Sequence, residues 1–326
     1  MISDKAARPL QLRTLEQMLD DPDALKPPTA IIPRLAWEGR LVLLSGREKL
    51  SGKSTLLTAG AAAVTDAVMF PETQEEQRQF LGEPVAPGSV LWVSSDQEAD
   101  ADIAARAVRF HAHASGFHVL WPGSEPLRDL EAAWHRLHMP NLVVIDTLAS
   151  FAQGIVETAS TSDQWGELMQ PLLRLARLGV AVVVLHHATK STGEYRDSTA
   201  IAASVDQVIS LKPVPDHPTW RRVESIGRLG RDTFTVALED DDYRLVSTVE
   251  VAAESDGGRK RQALREALGT GERSAQEVAT AIGCDRSWAK RLLDGDPGVT
   301  SRLAQTAEGQ TRLYRLATAG AHDEPF

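Results

Sequence analysis

The chain has 326 residues, 42% of them hydrophobic and 25% charged, with a net charge of −10; these values fit one large α/β domain with a smaller companion, exclude wholesale disorder, and argue against a surface that coats nucleic acid throughout, though not against local basic sites. Its single cysteine, Cys284, excludes an intrachain disulfide framework and a cysteine-rich zinc module, and suits a reducing cytoplasm. The opening MISDKAARPL lacks an apolar signal core, and the longest uncharged apolar-leaning run, about 56–65, falls short of the ~18 residues a membrane span needs.

Residues 1–30 form an N-terminal segment. One short amphipathic helix carrying Leu12, Leu15 and Leu19 is expected there, packed on the main domain, and Pro27-Pro28 bars a helix at its end. From residue 31 to 250 short apolar runs alternate with helical patterns. Leu41–Leu44, Val90–Val93, Leu142–Ile145 and Val180–Leu185 are continuous and bounded by polar or glycine residues, the mark of strands buried on both faces of a parallel sheet. Helices are expected at about 53–67, 98–113, 126–138 and 163–178. Gln207–Leu211, Trp220–Ile226, Phe234–Leu238 and Tyr243–Ser247 read as edge strands, the last two joined by the acidic turn Glu239–Asp242.

Between the first strand and the first of these helices lies Ser45-Gly-Arg-Glu-Lys-Leu-Ser-Gly-Lys-Ser-Thr55. Strand, glycine-containing loop, Gly-Lys-Ser and helix is the layout of a phosphate-binding P-loop. Gly46, Lys49, Ser51, Gly52, Lys53, Ser54 and Thr55 are the candidate nucleotide contacts. Backbone N–H groups and the helix N-terminus suit phosphate oxygens. Gly52 lets the backbone come close, Lys53 brings a charge from a solvated loop to the β/γ oxygens, and Ser54 offers a hydroxyl to Mg²⁺. Five residues separate Gly46 from Gly52, one more than the strict motif has. Further along, Asp146 ends the apolar run Leu142–Ile145, where a carboxylate can hold Mg²⁺ through water. The two elements together predict an ATPase.

Four blocks, GREKLSGKST, VLWVSSDQE, NLVVIDTLASF and VVVLHHATKSTGEYRDSTAIAASVDQVISL, resemble the RecA-like ATPases, and within them the RepA-type family of hexameric replicative helicases, over about residues 30–250. The resemblance implies that the residue orienting the attacking water sits just after the second strand. That position is Asp96 where the family has Glu, with Glu98 as the alternative and a helix N-cap as the ordinary role for Asp96. It implies that His187 senses the γ-phosphate, against a reading of the His186–His187 pair as one packed and one capping histidine. It implies that the loop between Ala188 and Thr199, with Lys190 and Arg196, faces DNA in a central channel, against an ordinary solvated loop. Relatives of the DnaB type carry a Lys-x-Arg pair where this chain has Ile226 and Arg228. Arg228 is therefore the candidate finger for a neighbour's γ-phosphate, with Arg231 as fallback, and a finger given in trans requires an oligomer.

Residues 251–258 read as a linker, on the small, polar and Gly-rich run Glu254–Gly258. Residues 259–318 contain 11 Lys/Arg and 7 Asp/Glu, a net +4 that leaves −14 for the rest of the chain. A basic helix, a Ser274–Glu277 capping box opening a second helix, a third helix capped by Asp285, and a hairpin at 299–304 and 311–317 follow one another. This is the order of a winged helix, with Arg286, Lys290 and Arg291 presented to DNA; winged helices also serve as protein docking modules. Residues 319–326 are a tail. The expected protein is α/β, with a RecA-like parallel-sheet core flanked by helices plus a small C-terminal winged-helix domain. It binds ATP and Mg²⁺, forms a homo-oligomeric ring, expected to be hexameric, and acts on DNA in the cytoplasm without a membrane. Single-stranded DNA is expected in the ring and duplex at the winged helix, in the replication of a plasmid, phage or integrated element. The alternative is a DNA-binding initiator or regulatory ATPase that does not unwind.

Overall fold

The structure, a computed structural model, describes residues 12–22, 25–48, 50–66, 78–95, 99–153, 155–156, 162–187, 199–254, 256–269, 271–296, 298–306 and 309–317. It divides into two units, Met1–Leu245 and Val246–Phe326.

The first unit opens with the short helix α1 (Leu15–Leu19) and a small ribbon of β1 (Ala30–Ile32) and β2 (Ala36–Trp37). Then come β3 (Leu41–Gly46), α2 (Lys53–Asp66), a ribbon of β4 (Gln79–Phe80) and β5 (Glu83–Pro84), β6 (Val90–Ser94), α3 (Asp100–Arg109), β7 (Phe117–Leu120) and α4 (Pro126–Arg136). β8 (Leu142–Asp146), α5 (Leu148–Phe151), α6 (Ser162–Arg177), β9 (Ala181–His187) and α7 (Thr199–Ser204) follow. The unit closes with β10 (Gln207–Val214), β11 (His217–Gly227), β12 (Gly230–Glu239) and β13 (Asp242–Val246). Nine strands form one sheet in the order β13-β12-β11-β10-β3-β9-β8-β6-β7. The pairs from β10 through β3, β9, β8 and β6 to β7 are parallel, and β11 pairs antiparallel with both β10 and β12.

The central strands alternate their apolar residues between two cores, as the two-residue period of a strand requires. Val42, Leu44, Trp92, Val144 and Val183 face α2 on one side. Leu41, Leu43, Leu91, Val143, Ile145 and Val182 face Leu130 and Trp134 of α4 and Leu168 and Leu172 of α6 on the other. Eleven of the fourteen residues of α2 are buried, so that this helix is apolar nearly all round, as a covered helix must be.

Three expectations are corrected. Leu12, Leu15 and Leu19 do not pack on the domain; all three are exposed, because a helix of five residues offers too narrow an apolar stripe to bury. Of the four strands expected at an edge only β13 lies there: β10, β11 and β12 each have a bonded neighbour on both sides. The other edge is β7, whose sequence Phe-His-Val-Leu is too short to stand out from its surroundings. Of the stretch 251–258, expected as a linker, residues 251–254 lie in α8 (Thr248–Glu254) and residues 256–258 in α9 (Asp256–Leu268). The first is opened by Ser247, whose hydroxyl accepts from the Glu250 N–H while the Glu250 carboxylate accepts from the Ser247 N–H. In α9 the cost of Gly257 and Gly258 is outweighed by the fully buried Leu264 and Leu268.

In the second unit, α9 is followed by β14 (Arg273–Ser274), α10 (Ala275–Ile282), α11 (Arg286–Asp294), β15 (Val299–Thr306) and β16 (Gly309–Leu316), with a three-stranded sheet ordered β14-β16-β15. Leu264, Leu268, Ala275, Val278, Leu293 and Tyr314 form its core. The capping box is present: Ser274 Oγ accepts from the Glu277 N–H and the Glu277 carboxylate accepts from the Ser274 N–H at 2.7 Å. Asp285 caps α11 by accepting from the N–H groups of Ser287 and Trp288, which hold its carboxyl below the usual range. Arg265 donates two hydrogen bonds to the buried Asp296 carboxylate, which is lowered chiefly by that pairing.

Candidate nucleotide site

The C-terminal ends of the parallel strands carry the site, as expected for an open α/β sheet. Strand register fixes what lies side by side. Gly46, the last residue of β3, is opposite Leu211 of β10 and His187 of β9. One strand further, Asp146 ends β8 opposite Ser94 of β6. At about 4.8 Å between strands, these groups fall within roughly 10 Å of the loop that follows Gly46.

The longer loop closes on itself. The Ser51 N–H donates to the Arg47 carbonyl at 3.2 Å, and the Ser51 hydroxyl donates to the same oxygen at 2.8 Å. A side-chain carbon on Gly46 would lie 2.7 Å from the Ser51 Cβ, so that glycine is needed for this closure. Arg47 and Ser51 are thereby joined as i and i+4, and Gly-Lys-Ser still meets the start of α2. Gly52 has a φ of +72°, a left-handed conformation in which glycine alone is unstrained.

Lys53 is buried, contrary to its expected place in a solvated loop: it is 6% exposed, and its Nζ donates to the Gly46 carbonyl at 3.1 Å and the Ser51 hydroxyl at 3.3 Å. Ser54 and Thr55 are half-buried at the first turn of α2. Asp146 is buried, and the Asp146–Thr147 peptide is cis. His187 is half-buried beside Gly46, while His186 is buried with its ring edge-on to Trp165. Lys49, Asp96, Glu98, Lys190 and Arg196 lie outside the described residues.

The residues present fit a nucleoside triphosphate with Mg²⁺. A glycine in the left-handed region, a buried lysine and the first turn of a fourteen-residue helix converge on one loop. Among the described residues no cluster of three or more His, Cys, Asp or Glu side chains could hold a metal ion alone. In a P-loop arrangement Mg²⁺ would be held by the Ser54 hydroxyl, by Asp146 through water and by phosphate oxygens. It would neutralise charge on those oxygens.

Arg228 sits elsewhere. It follows Gly227, which pairs with Gln207, itself opposite Val42 near the start of β3. The β11–β12 turn is thus at the opposite end of the parallel strands from the P-loop, about 13 Å or more away along the strand. Arg228 Nη1 donates to Asp206 Oδ1 at 2.9 Å, and Asp206 also accepts from the Leu41 N–H at 3.0 Å. Ile226 is half-exposed beside it, opposite Arg231.

Arg221, absent from the residues predicted by the motifs, reaches the P-loop from β11, its Nε donating to the Ser51 carbonyl at 2.8 Å. The signal that could have found it is length: β11 is eleven residues long, and with β10 it runs on past the end of β3, so its N-terminal half flanks whatever lies beyond Gly46.

Fold and site together define a P-loop nucleotide-binding α/β protein. The profile of the AAA domain family matches residues 6–193, more than half of the chain. The chain belongs to that family of P-loop ATPases. The match includes the loop, Asp146 and His187 and ends before β10, leaving Arg221, Arg228 and the second unit outside it. No match to a curated protein was found. Among the described residues no helix is long and apolar enough to cross a membrane.

In the second unit Arg286, Lys290 and Arg291 are exposed on α11. Other basic residues of the unit are tied to acids, Arg265 to Asp296, Arg302 to Glu272 and Arg312 to Asp294.

Proposed function

We propose that the chain is an ATP-hydrolysing, RecA-like ring motor acting on DNA, a replicative helicase of the RepA type with a C-terminal winged helix. The observation that carries this reading is the convergence of Lys53, Ser54, Asp146 and His187 on one end of the sheet. Lys53 meets the β/γ oxygens, Ser54 and Asp146 hold Mg²⁺, His187 responds to the γ-phosphate, and Asp96 or Glu98 orients the water. The position of Arg228, far from its own P-loop, supports a finger that serves the next subunit of a ring. The helix–strand–helix–helix–hairpin order of the second unit, with three cations on α11, supports duplex binding there; Lys190 and Arg196 would follow a single strand in the channel.

The second reading is a DNA-binding initiator or regulatory ATPase that switches without unwinding. It is favoured by two features: Ile226 stands at the place of the second finger, and Arg228 is already paired with Asp206.

The deciding experiment measures ATP turnover with and without single-stranded DNA, the mass in solution, and displacement of a strand from forked DNA. The motor reading expects stimulation, an oligomer and displacement. Turnover without displacement selects the switch. Charge reversal at Arg286 and Lys290 should weaken duplex binding and flatten its dependence on salt by about one unit of log–log slope for each phosphate no longer neutralised. Unchanged duplex affinity reassigns the second unit to protein docking.

A further inference from the structure

Leu211 lies opposite both Gly46 and Val223, so that residues 217–222 of β11 run on past the end of β3, alongside the P-loop. Arg221 is half-buried there. Its Nε donates to the Ser51 carbonyl at 2.8 Å, and its Nη1 donates to the carbonyls of Pro218 at 2.6 Å and Trp220 at 2.7 Å. The guanidinium also lies against Gly52: a Cβ on that residue would be 3.4 Å from Nε and 3.8 Å from Nη2. One side chain therefore ties the phosphate loop to the β10–β11 hairpin tip, where the His217 and Trp220 rings stack 4.2 Å apart.

The consequence follows from peptide geometry. In a planar trans peptide the carbonyl and the following N–H point in opposite directions. Holding the Ser51 carbonyl toward Arg221 turns the Gly52 N–H away from it, into the loop, where N–H groups gather on phosphate oxygens. Ser51 has no freedom left, since its N–H and hydroxyl both donate to Arg47 and its hydroxyl accepts from Lys53. The bonds described for Arg221 all go to neutral carbonyls, and among the described residues no carboxylate pairs with it. Among those residues its positive charge has no acidic partner, and it stands beside a site that takes a polyanion.

We propose that Arg221 is a positioning residue of the phosphate site: it holds the Ser51–Gly52 peptide so that the Gly52 N–H meets the phosphates of a nucleoside di- or triphosphate, and it couples occupancy of the loop to the Trp220–His217 hairpin. This rests on the P-loop reading. The longer loop is the reason the brace is needed, because a fifth intervening residue adds one more pair of torsions that the loop must fix.

The test uses the full chain and ADP with Mg²⁺. Arg221→Gln should weaken ADP binding about tenfold or more, the loss expected of one charge-assisted hydrogen bond and a charge. Arg221→Lys, which keeps the charge and loses the fork, should recover only part of the affinity. In the parental protein ADP should change tryptophan emission, and Trp220→Phe should remove that change. At saturating ADP the change should also be absent in Arg221→Gln. A merely structural arginine would lower the melting temperature without uncoupling emission from binding. ADP affinity within twofold of parental in Arg221→Gln, or full recovery in Arg221→Lys, overturns the positioning role. A parental protein without a Trp220-dependent change overturns the coupling. If Lys53→Ala keeps parental ADP affinity, the P-loop reading itself fails; if it loses binding while Arg221→Gln does not, only this inference does.

Discussion

Lys53→Ala should reduce ATP turnover by about 10³-fold or more, because the charge that Lys53 brings to the phosphates acts in a partly water-excluded site. The buried position of the side chain adds a second, smaller effect. Its Nζ donates to the Gly46 carbonyl and the Ser51 hydroxyl, and losing these bonds should lower stability by about 1 kcal/mol. A melt therefore accompanies the assay: a folded variant without turnover is the expected result. Turnover at the parental rate would mean that the phosphates bind elsewhere.

Arg228→Ala should leave ATP affinity and assembly close to parental and slow hydrolysis ~10³-fold, the size expected of an arginine finger. The pairing with Asp206 refines the design. Asp206 is buried, whereas the Arg228 side chain is 70% exposed, so the ion pair is well solvated on one side and its loss should cost no more than about 1 kcal/mol. The Leu41 N–H remains bonded to the carboxylate, with Arg40 at 3.6 Å. Arg228→Lys keeps a cation for Asp206 and gives up the planar fork. If both variants hydrolyse slowly while only the alanine variant melts early, stability and catalysis are separated. Mixing then tests the neighbour's role. Arg228→Ala subunits have an intact P-loop, Lys53→Ala subunits have an intact finger, and a mixed ring contains some interfaces with both. Partial return of activity is expected. Equimolar mixtures that exchange subunits yet stay as inactive as either parent would remove Arg228 from the neighbour's site.

The parallel core was readable because Leu41–Leu44, Val90–Val93, Leu142–Ile145 and Val180–Leu185 are buried on both faces and so lack any polar alternation. The phosphate loop was readable because its chemistry is local: Gly52, Lys53 and Ser54 are consecutive, and the strand and helix beside them are strongly patterned. What escaped the sequence depends on distant parts of the chain. Arg221 is 170 residues from Ser51, and only the β10–β11 register brings it to the loop. Asp206 gave no signal that it would receive Arg228, since that bond depends on where the β11–β12 turn falls. α8 and the first turn of α9 were missed for the opposite reason. The local signal of Gly257-Gly258 was strong, but burial of Leu264 and Leu268 overrode it, and the Ser247–Glu250 capping box was passed over as the end of a strand.

The one cysteine of the chain has an experimental consequence. Cys284 is half-buried with a free thiol, between Gly283, which ends α10 with a φ of +69°, and Asp285, which caps α11. A maleimide dye or spin label placed there would report from within two residues of Arg286, in the full-length protein and without removing any other thiol. Anisotropy or distance distributions could then follow the basic helix as DNA is added, while Lys53 and Arg221 remain unmodified at the loop. A single preparation could thus be read optically at the helix and enzymatically at the phosphate site, so that the timing of the two events becomes measurable in one sample.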